Sequence, residues 1–85
     1  MASKTVTVGS SVGLHARPAA TIAEAAAAAA APVTLAVAGG EPVDAGSSLL
    51  IMTLGAGPGT EITVESPDEG VMEQIAALVA ADLDA

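Results

Sequence analysis

The spacing of apolar residues along the chain predicts a mixture of strands and helices. Polar and apolar side chains alternate in three stretches, which is the period of a half-buried β-strand. These stretches are residues 4–8, 33–37 and 61–65. Gly39 and Gly40 follow the second stretch, and a short strand over residues 41–43 would complete a hairpin. Residues 47–54 are apolar but few, so they predict either a short helix or a strand.

The first long helix is predicted over residues 16–31, which consist mostly of Ala, the residue with the highest helix propensity. Pro18 lies in the first turn, where its missing N–H costs nothing. Pro32 is expected to end the helix. The predicted buried stripe consists of Ala19, Ile22, Ala23 and Ala26.

The last helix is predicted from its start and from its apolar stripe. Residues 66–69 (Ser-Pro-Asp-Glu) fit a capping box in which Ser66 caps the helix and Pro67 takes its first position. The stripe at helical spacing consists of Val71, Ile75, Leu78, Val79 and Leu83. The order of elements predicts an α+β open-faced sandwich, with a four-stranded, mostly antiparallel sheet and helices on one face (βαββαβα). We expect residues 1–85 to form a single domain.

The amino-acid composition limits both the expected cellular location and the kind of functional site. The 85 residues include no Phe, Trp or Tyr, so an aliphatic core leaves little room for a deep substrate cavity. The absence of Cys excludes disulfides and thiolate chemistry and favours a cytoplasmic location. The first eight residues lack the apolar segment of a signal peptide, and the Ala run over residues 25–31 is too short to span a bilayer.

The net charge of the chain limits the classes of molecule that it is expected to bind. Ten acidic side chains against two basic ones give a net charge of −8. Nucleic acids and anionic membranes are bound through basic patches, so we expect protein partners, no nucleic acid and no membrane insertion. With one His, no Cys and no carboxylate at helical spacing from His15, we expect no metal site.

His15 and Arg17 lie together at the predicted start of the first helix. No Ser, Thr, Asp or Asn stands at the predicted cap, so the free N–H groups of the first turn remain available to an anion. The positive end of the helix dipole favours a neutral, nucleophilic imidazole, and Arg17 could bind phosphoryl oxygens. The pattern indicates phosphoryl transfer through His15, with Ala16 and Arg17 as a phosphate cradle. A histidine that only packs or caps explains these residues about equally well.

Residues 13–19 (Gly-Leu-His-Ala-Arg-Pro-Ala) resemble the active-site signature of HPr, the histidine-containing phosphocarrier family of the bacterial phosphoenolpyruvate:sugar phosphotransferase system. Residues 47–55 resemble the regulatory-serine segment of the family, and residues 61–64 resemble its last strand. The resemblance implies that enzyme I phosphorylates His15 on Nδ1 and that IIA domains of sugar permeases receive the group. Arg17 would balance charge in both transfers. It implies a monomeric, stoichiometric carrier without a cofactor, not an enzyme.

The resemblance also implies a docking surface and a regulatory position. Leu49 and Met52 would dock partners, and Ser47 would be a candidate for phosphorylation by a serine kinase. The chain has Gly46 where a basic residue is common in the family and Ser48 where a bulky apolar residue is usual, and its first helix is nearly all Ala. Because the basic neighbour is missing, we favour Ser47 as the cap of a short helix over a regulatory serine.

The sequence also has other, less favoured interpretations. An acyl carrier protein is also small and acidic, but its fold is all-helical. The presence of His15, Arg17 and Pro18 speaks against a purely regulatory paralogue that transfers no phosphoryl group. A specialised paralogue, serving nitrogen control or dihydroxyacetone phosphorylation, would keep all three residues and stays an alternative. Residues 55–59 (Gly-Ala-Gly-Pro-Gly) superficially resemble a phosphate-binding loop, but they lack Lys and precede a strand, so we expect a turn.

Overall fold

A computed structural model of the protein describes residues 2–9, 13–14, 16–55 and 57–81. The elements are β1 (Ala2–Thr7), α1 (Ala16–Ala28), β2 (Thr34–Val37), β3 (Val43–Asp44), α2 (Ser48–Thr53), β4 (Glu61–Ser66) and α3 (Glu69–Ala80). This order confirms the predicted α+β fold. It also shows that residues 47–54, for which the sequence predicted either a helix or a strand, contain a helix. The sheet contradicts the all-helical fold of an acyl carrier protein.

The four strands form one sheet in the order β1–β4–β2–β3, and every neighbouring pair is antiparallel. Directly paired residues share a face, so Val6 lies beside Ile62 and Leu35 beside Val64 on the buried face. Ile62 and Val64 are buried, as predicted. On the opposite face, the hydroxyl oxygens of Thr5 and Thr63 lie 3.2 Å apart.

The predicted hairpin is present, with a shorter second strand displaced along the chain. Leu35 of β2 lies opposite Val43 of β3. The turn contains Gly39, whose φ of +76° lies in the left-handed region that favours glycine. The second strand was expected over residues 41–43, but Pro42 has no N–H to donate to the sheet. Pairing therefore begins only after the proline.

The core is aliphatic and includes residues from the sheet and all three helices. The buried residues of α1 are Pro18, Ala19, Ile22, Ala23 and Ala26, which include all four predicted ones. The buried residues of α3 are Met72, Ile75, Ala76 and Val79. Val71 and Leu78 are half-buried, and Leu83 lies outside the described residues. The prediction missed Met72 and Ala76. The packing of α3 against β1 and β4 decides which residues next to the predicted apolar stripe are buried.

The start of α3 differs from the predicted capping box. Ser66 is 1% exposed and is the last residue of β4, where it pairs with Ala2. Asp68 caps the helix instead, because its Oδ1 accepts a hydrogen bond from the Val71 N–H at 3.2 Å. The predicted cap at Ser66 is therefore wrong, and Pro67 precedes the helix. Because Ser66 pairs with Ala2, β4 includes the residue at which the capping-box pattern predicts the start of the helix.

The first helix ends at Ala28, earlier than the predicted residue 31. The Ala29 N–H donates to the Ala26 carbonyl at 3.2 Å, a tighter turn that closes the helix. Pro32 disfavours helical backbone at the residue before it, and its ring would clash with the carbonyl four residues earlier. The helix therefore stops about one turn before the proline. Val33, next in the chain, is already buried in the core.

Candidate functional site

The connection between β1 and α1 is held at its start by three backbone hydrogen bonds. The Val8 N–H donates to the Thr60 carbonyl at 2.9 Å, and the Gly59 N–H donates to the Val8 carbonyl at 3.1 Å. The Gly9 N–H donates to the carbonyl of Val79 in α3 at 3.1 Å. Since the Val8 side chain is also buried, this end of the connection is fixed to the core.

The other end of the connection is held by Gly13 and Leu14. Gly13 has a φ of +81°, and this left-handed backbone would cost another residue about 1–2 kcal/mol. The Leu14 side chain is 5% exposed and belongs to the core. Two positions of the sequence motif thus have structural roles, as a backbone turn and as a core contact. His15 lies outside the described residues, as do residues 10–12.

The first turn of α1 has a buried side and an exposed side. The helix begins at Ala16, as predicted, and carries no acidic side chain in its first turn. Pro18 and Ala19 are buried, whereas Ala16 and Arg17 are exposed. Pro18 has no N–H, so Ala16 and Arg17 are the residues of this opening triplet whose N–H groups could donate to an anion. The two residues of the predicted phosphate cradle, Ala16 and Arg17, therefore lie on the solvent-exposed side of the helix.

The two basic side chains of the protein have different surroundings. Lys4 Nζ of β1 lies 3.3 Å from Glu73 Oε2 of α3, and both side chains are about half exposed. Arg17 takes part in no ion pair with any residue in the described ranges. Its carbonyl accepts a hydrogen bond from the Thr21 hydroxyl at 3.2 Å, and its guanidinium makes no hydrogen bond to any residue that the structure describes. Among the described residues, Lys4 is therefore the basic side chain with an acidic partner and Arg17 is the one without.

Ser47 caps α2, which confirms the structural role predicted for it. Its Oγ accepts a hydrogen bond from the Leu50 N–H at 3.3 Å, and its carbonyl accepts one from the Ile51 N–H at 3.0 Å. The backbone at Ser47 is extended (φ −117°, ψ 112°), as is typical of a cap. Phosphorylation of this hydroxyl stays a prediction.

The helix α2 packs against α1 and exposes two leucines. Leu49 is 72% exposed and Leu50 is 41% exposed. Ile51 is buried, and Met52 is half-buried against the core. The two residues predicted for docking therefore differ in exposure. Leu49 is available to a partner, whereas Met52 mostly packs against the core. Leu50 was not predicted to be a docking residue. The only indication that it is exposed is the burial of its neighbour Ile51, and that burial is visible only in the folded structure.

Two further properties concern the described part of the chain. No group of three or more His, Cys, Asp or Glu side chains there is arranged to hold a metal ion. Within the same ranges, no helix is both long and apolar enough to cross a membrane.

Comparison with known sequences gives one family. The sequence model of the family described as PTS HPr component phosphorylation site matches residues 2–81. The chain is 47% identical, over 87 aligned positions, to the phosphocarrier protein HPr of Streptomyces coelicolor. The alignment covers 99% of this chain and 94% of that protein.

Solved structures share the fold. The crystal structure of a phosphocarrier protein HPr from Bacillus anthracis has a TM-score of 0.84 and 34% identity, covering 92% of this chain and 95% of that one. The HPr-C-His structure from Thermoanaerobacter tengcongensis has a TM-score of 0.88 at 24% identity, covering 100% and 98%, and supports the fold alone. Taken with the sequence motif and the matching order of elements, these likenesses show that the chain belongs to the HPr family, the phosphocarriers of the phosphoenolpyruvate:sugar phosphotransferase system, and is a carrier rather than a catalyst.

Proposed function

We propose that this protein carries a phosphoryl group on His15 as a cytoplasmic monomer, receiving it from enzyme I and donating it to IIA domains of sugar permeases. The observation that carries the proposal is the place of the histidine in the chain. It is bonded on one side to the buried Leu14 and on the other to Ala16, with which α1 begins. Arg17, exposed and without a described ion pair, follows in the same turn.

The proposed reaction is a nucleophilic substitution at phosphorus. The lone pair of the His15 imidazole attacks, and a P–N bond forms as the bond between phosphorus and the donor breaks. Transfer to the acceptor reverses this exchange and regenerates the imidazole. No electrons are gained or lost overall, so the protein needs no redox cofactor. Family resemblance makes Nδ1 the attacking atom.

The charge of the phosphoryl group requires donors near the imidazole. The Arg17 guanidinium can make charge-assisted hydrogen bonds to the phosphoryl oxygens. The N–H groups of Ala16 and Arg17, at the start of α1, can donate to the same oxygens. Because the chain has a net charge of −8, a basic residue two positions from the histidine, with no ion pair among the described residues, matters more here than in a neutral protein.

Docking is proposed on the α2 patch, defined as Leu49, Leu50 and the half-buried Met52. This patch belongs to the helix that packs against α1. A carrier must bind its partners and then leave them, which suits a small apolar contact better than a large one. Within the patch, Leu49 and Leu50 are exposed and Met52 is only partly exposed.

The deciding experiment is incubation with phosphoenolpyruvate and the enzyme I of the same organism, followed by intact mass measurement and phosphorus NMR. We expect one phosphoryl group that is labile in acid and stable in alkali, and none on His15→Ala. Ser47→Ala is the matched control, and it should be phosphorylated normally. Undiminished labelling of His15→Ala would contradict the proposal. If the labelled protein passes its group to no sugar IIA domain, a specialised paralogue becomes the better interpretation.

A further inference from the structure

The charged side chains of the protein are distributed unevenly over its elements. Residues 45–60, which include α2 and the loop before β4, contain no Asp, Glu, Lys, Arg or His. The large apolar side chains that this segment exposes are Leu49 and Leu50. The net charge of −8 therefore comes from other parts of the chain. The α2 patch is thus a neutral surface on an acidic protein.

Acidic side chains lie on the open face of the sheet and at the start of α3. In β4, Glu61 and Glu65 alternate with buried residues, so they lie on the face that is turned away from the helices. Asp44 shares this face, because it and Glu65 both pair with Thr34. In the first turn of α3, Glu69 is exposed. A basic partner surface would be attracted to these regions more than to the α2 patch.

The helix α1, which packs against α2, carries two opposite charges. Arg17 and Glu24 are the charged residues of this helix, and both are exposed. They are seven positions apart, so they lie on the same side of the helix and about 10 Å apart along its axis. Their charges cancel at longer range. An acidic partner surface would therefore meet no excess of positive charge on these two helices, and the net charge of the protein would repel it.

We propose that the α2 patch fits a partner surface of uncharged, apolar side chains, so that association with enzyme I depends on apolar burial and not on charge attraction. This inference rests on the proposed function, and it specifies the chemistry of the contact that enzyme I must supply. Charged partner surfaces of either sign are disfavoured at this patch, and the exposed leucines offer apolar area instead. The negative charge on the other faces would in addition disfavour the binding of an acidic protein through them.

The first test measures the binding of the unphosphorylated wild-type protein to enzyme I of the same organism by isothermal titration calorimetry. Raising the NaCl concentration from about 0.1 M to about 1 M shortens the Debye length from about 10 Å to about 3 Å and screens exposed charges. We expect Kd to stay within about threefold or to fall, with the negative heat-capacity change that marks apolar burial. A larger rise in Kd, or a heat-capacity change near zero, would overturn the inference.

A charge swap at Thr53 tests the same point locally. Thr53 is exposed and follows Leu49 by four residues, so it lies beside Leu49 on the surface of α2. Its hydroxyl donates to the Leu50 carbonyl at 2.6 Å, and Thr53→Lys and Thr53→Glu both lose this bond. The ratio of their two Kd values therefore reports chiefly the effect of charge. The control pair is Ser3→Lys and Ser3→Glu, at an exposed residue that lies opposite Glu65 in the sheet.

We expect the ratio of Kd values at Thr53 to be no more than about threefold larger than the ratio at Ser3. A larger ratio in favour of Lys would mean an acidic partner surface, and one in favour of Glu would mean a basic surface; either result would overturn the inference. Thermal unfolding shows whether the variants are folded, and the salt dependence of the wild-type protein decides if they are not. A wild-type protein that neither binds enzyme I nor takes up a phosphoryl group would instead refute the proposed function.

Discussion

The hydroxyl of Ser47 accepts a hydrogen bond from the N–H of Leu50, so the candidate regulatory serine starts the helix that exposes the docking leucines. One side chain thus has a structural role on a surface proposed to bind partners. A charged group at this position would change the surface without removing the acceptor that caps α2. Substitution can therefore separate the two roles of Ser47.

Ser47→Ala should lower the free energy of unfolding by about 1 kcal/mol, because the cap is lost, while transfer from enzyme I stays normal. Ser47→Asp should fold normally, since Asp is a good cap, but it should accept the phosphoryl group more slowly. The cause would be an added charge beside an apolar contact with a partner. Denaturant unfolding and initial transfer rates measure the two effects. A wild-type rate for Ser47→Asp would make the position structural only.

Arg17→Ala should slow transfer by about 10²–10³-fold, the typical effect of losing one donor to developing charge. Stability should change little, because the side chain is exposed and has no described ion pair. Arg17→Lys should recover only part of the rate, since an ammonium cannot reproduce the planar guanidinium. Initial rates with both enzyme I and a IIA domain provide the measurement.

Lys4→Ala is the matched control for Arg17→Ala, because it removes the same charge from a residue paired with Glu73. We expect Lys4→Ala to leave the transfer rate unchanged. Equal slowing by both variants would mean that net charge, and not the position of Arg17, sets the rate.

Leu49→Glu should raise KM for enzyme I without a matching loss of stability, because 72% of Leu49 is exposed. Met52→Ala should instead lower the unfolding temperature, because Met52 packs against the core. Ala27→Glu is the control for the added charge, since this exposed residue lies about 16 Å along α1 from Ala16. Steady-state kinetics and thermal unfolding separate the effects. If Leu49→Glu destabilised the fold and left KM unchanged, Leu49 would belong to the core.

Gly13→Ala should lower the free energy of unfolding by about 1–2 kcal/mol, because φ at this residue is +81°. Gly57→Ala, at a glycine without left-handed backbone, should leave the stability nearly unchanged. Urea unfolding of the two variants provides the comparison. Equal stability of both would show that Gly13 does not need the left-handed conformation in solution.

Part of this architecture follows from local sequence alone. Alternation predicted that Ile62 and Val64 share a buried face, and helical spacing predicted the burial of Ala19 and Ile22. These properties depend on residues a few positions apart, so period and propensity are enough to reveal them. The motif around His15 likewise indicated the family without any contact being known.

Tertiary contacts decided the rest, because they join residues that are far apart in the chain. Pairing with Ala2 keeps Ser66 in β4 and moves the cap of α3 to Asp68, against the local capping signal. The packing of α2 buries Ile51 and leaves Leu50 exposed, although both are equally apolar in the sequence.

The contact between Gly9 and Ala80 is the strongest example of a feature that only the fold reveals. Nothing in the residues around Gly9 predicts that a Cβ there would meet a helix backbone. The sequence by itself determined the fold class, the order of every element except α2, the family and the residue types next to His15. Only the folded chain decided where strands end, which residues cap the helices and which side chains stay exposed, because burial and close approach depend on three-dimensional packing and not on local propensity.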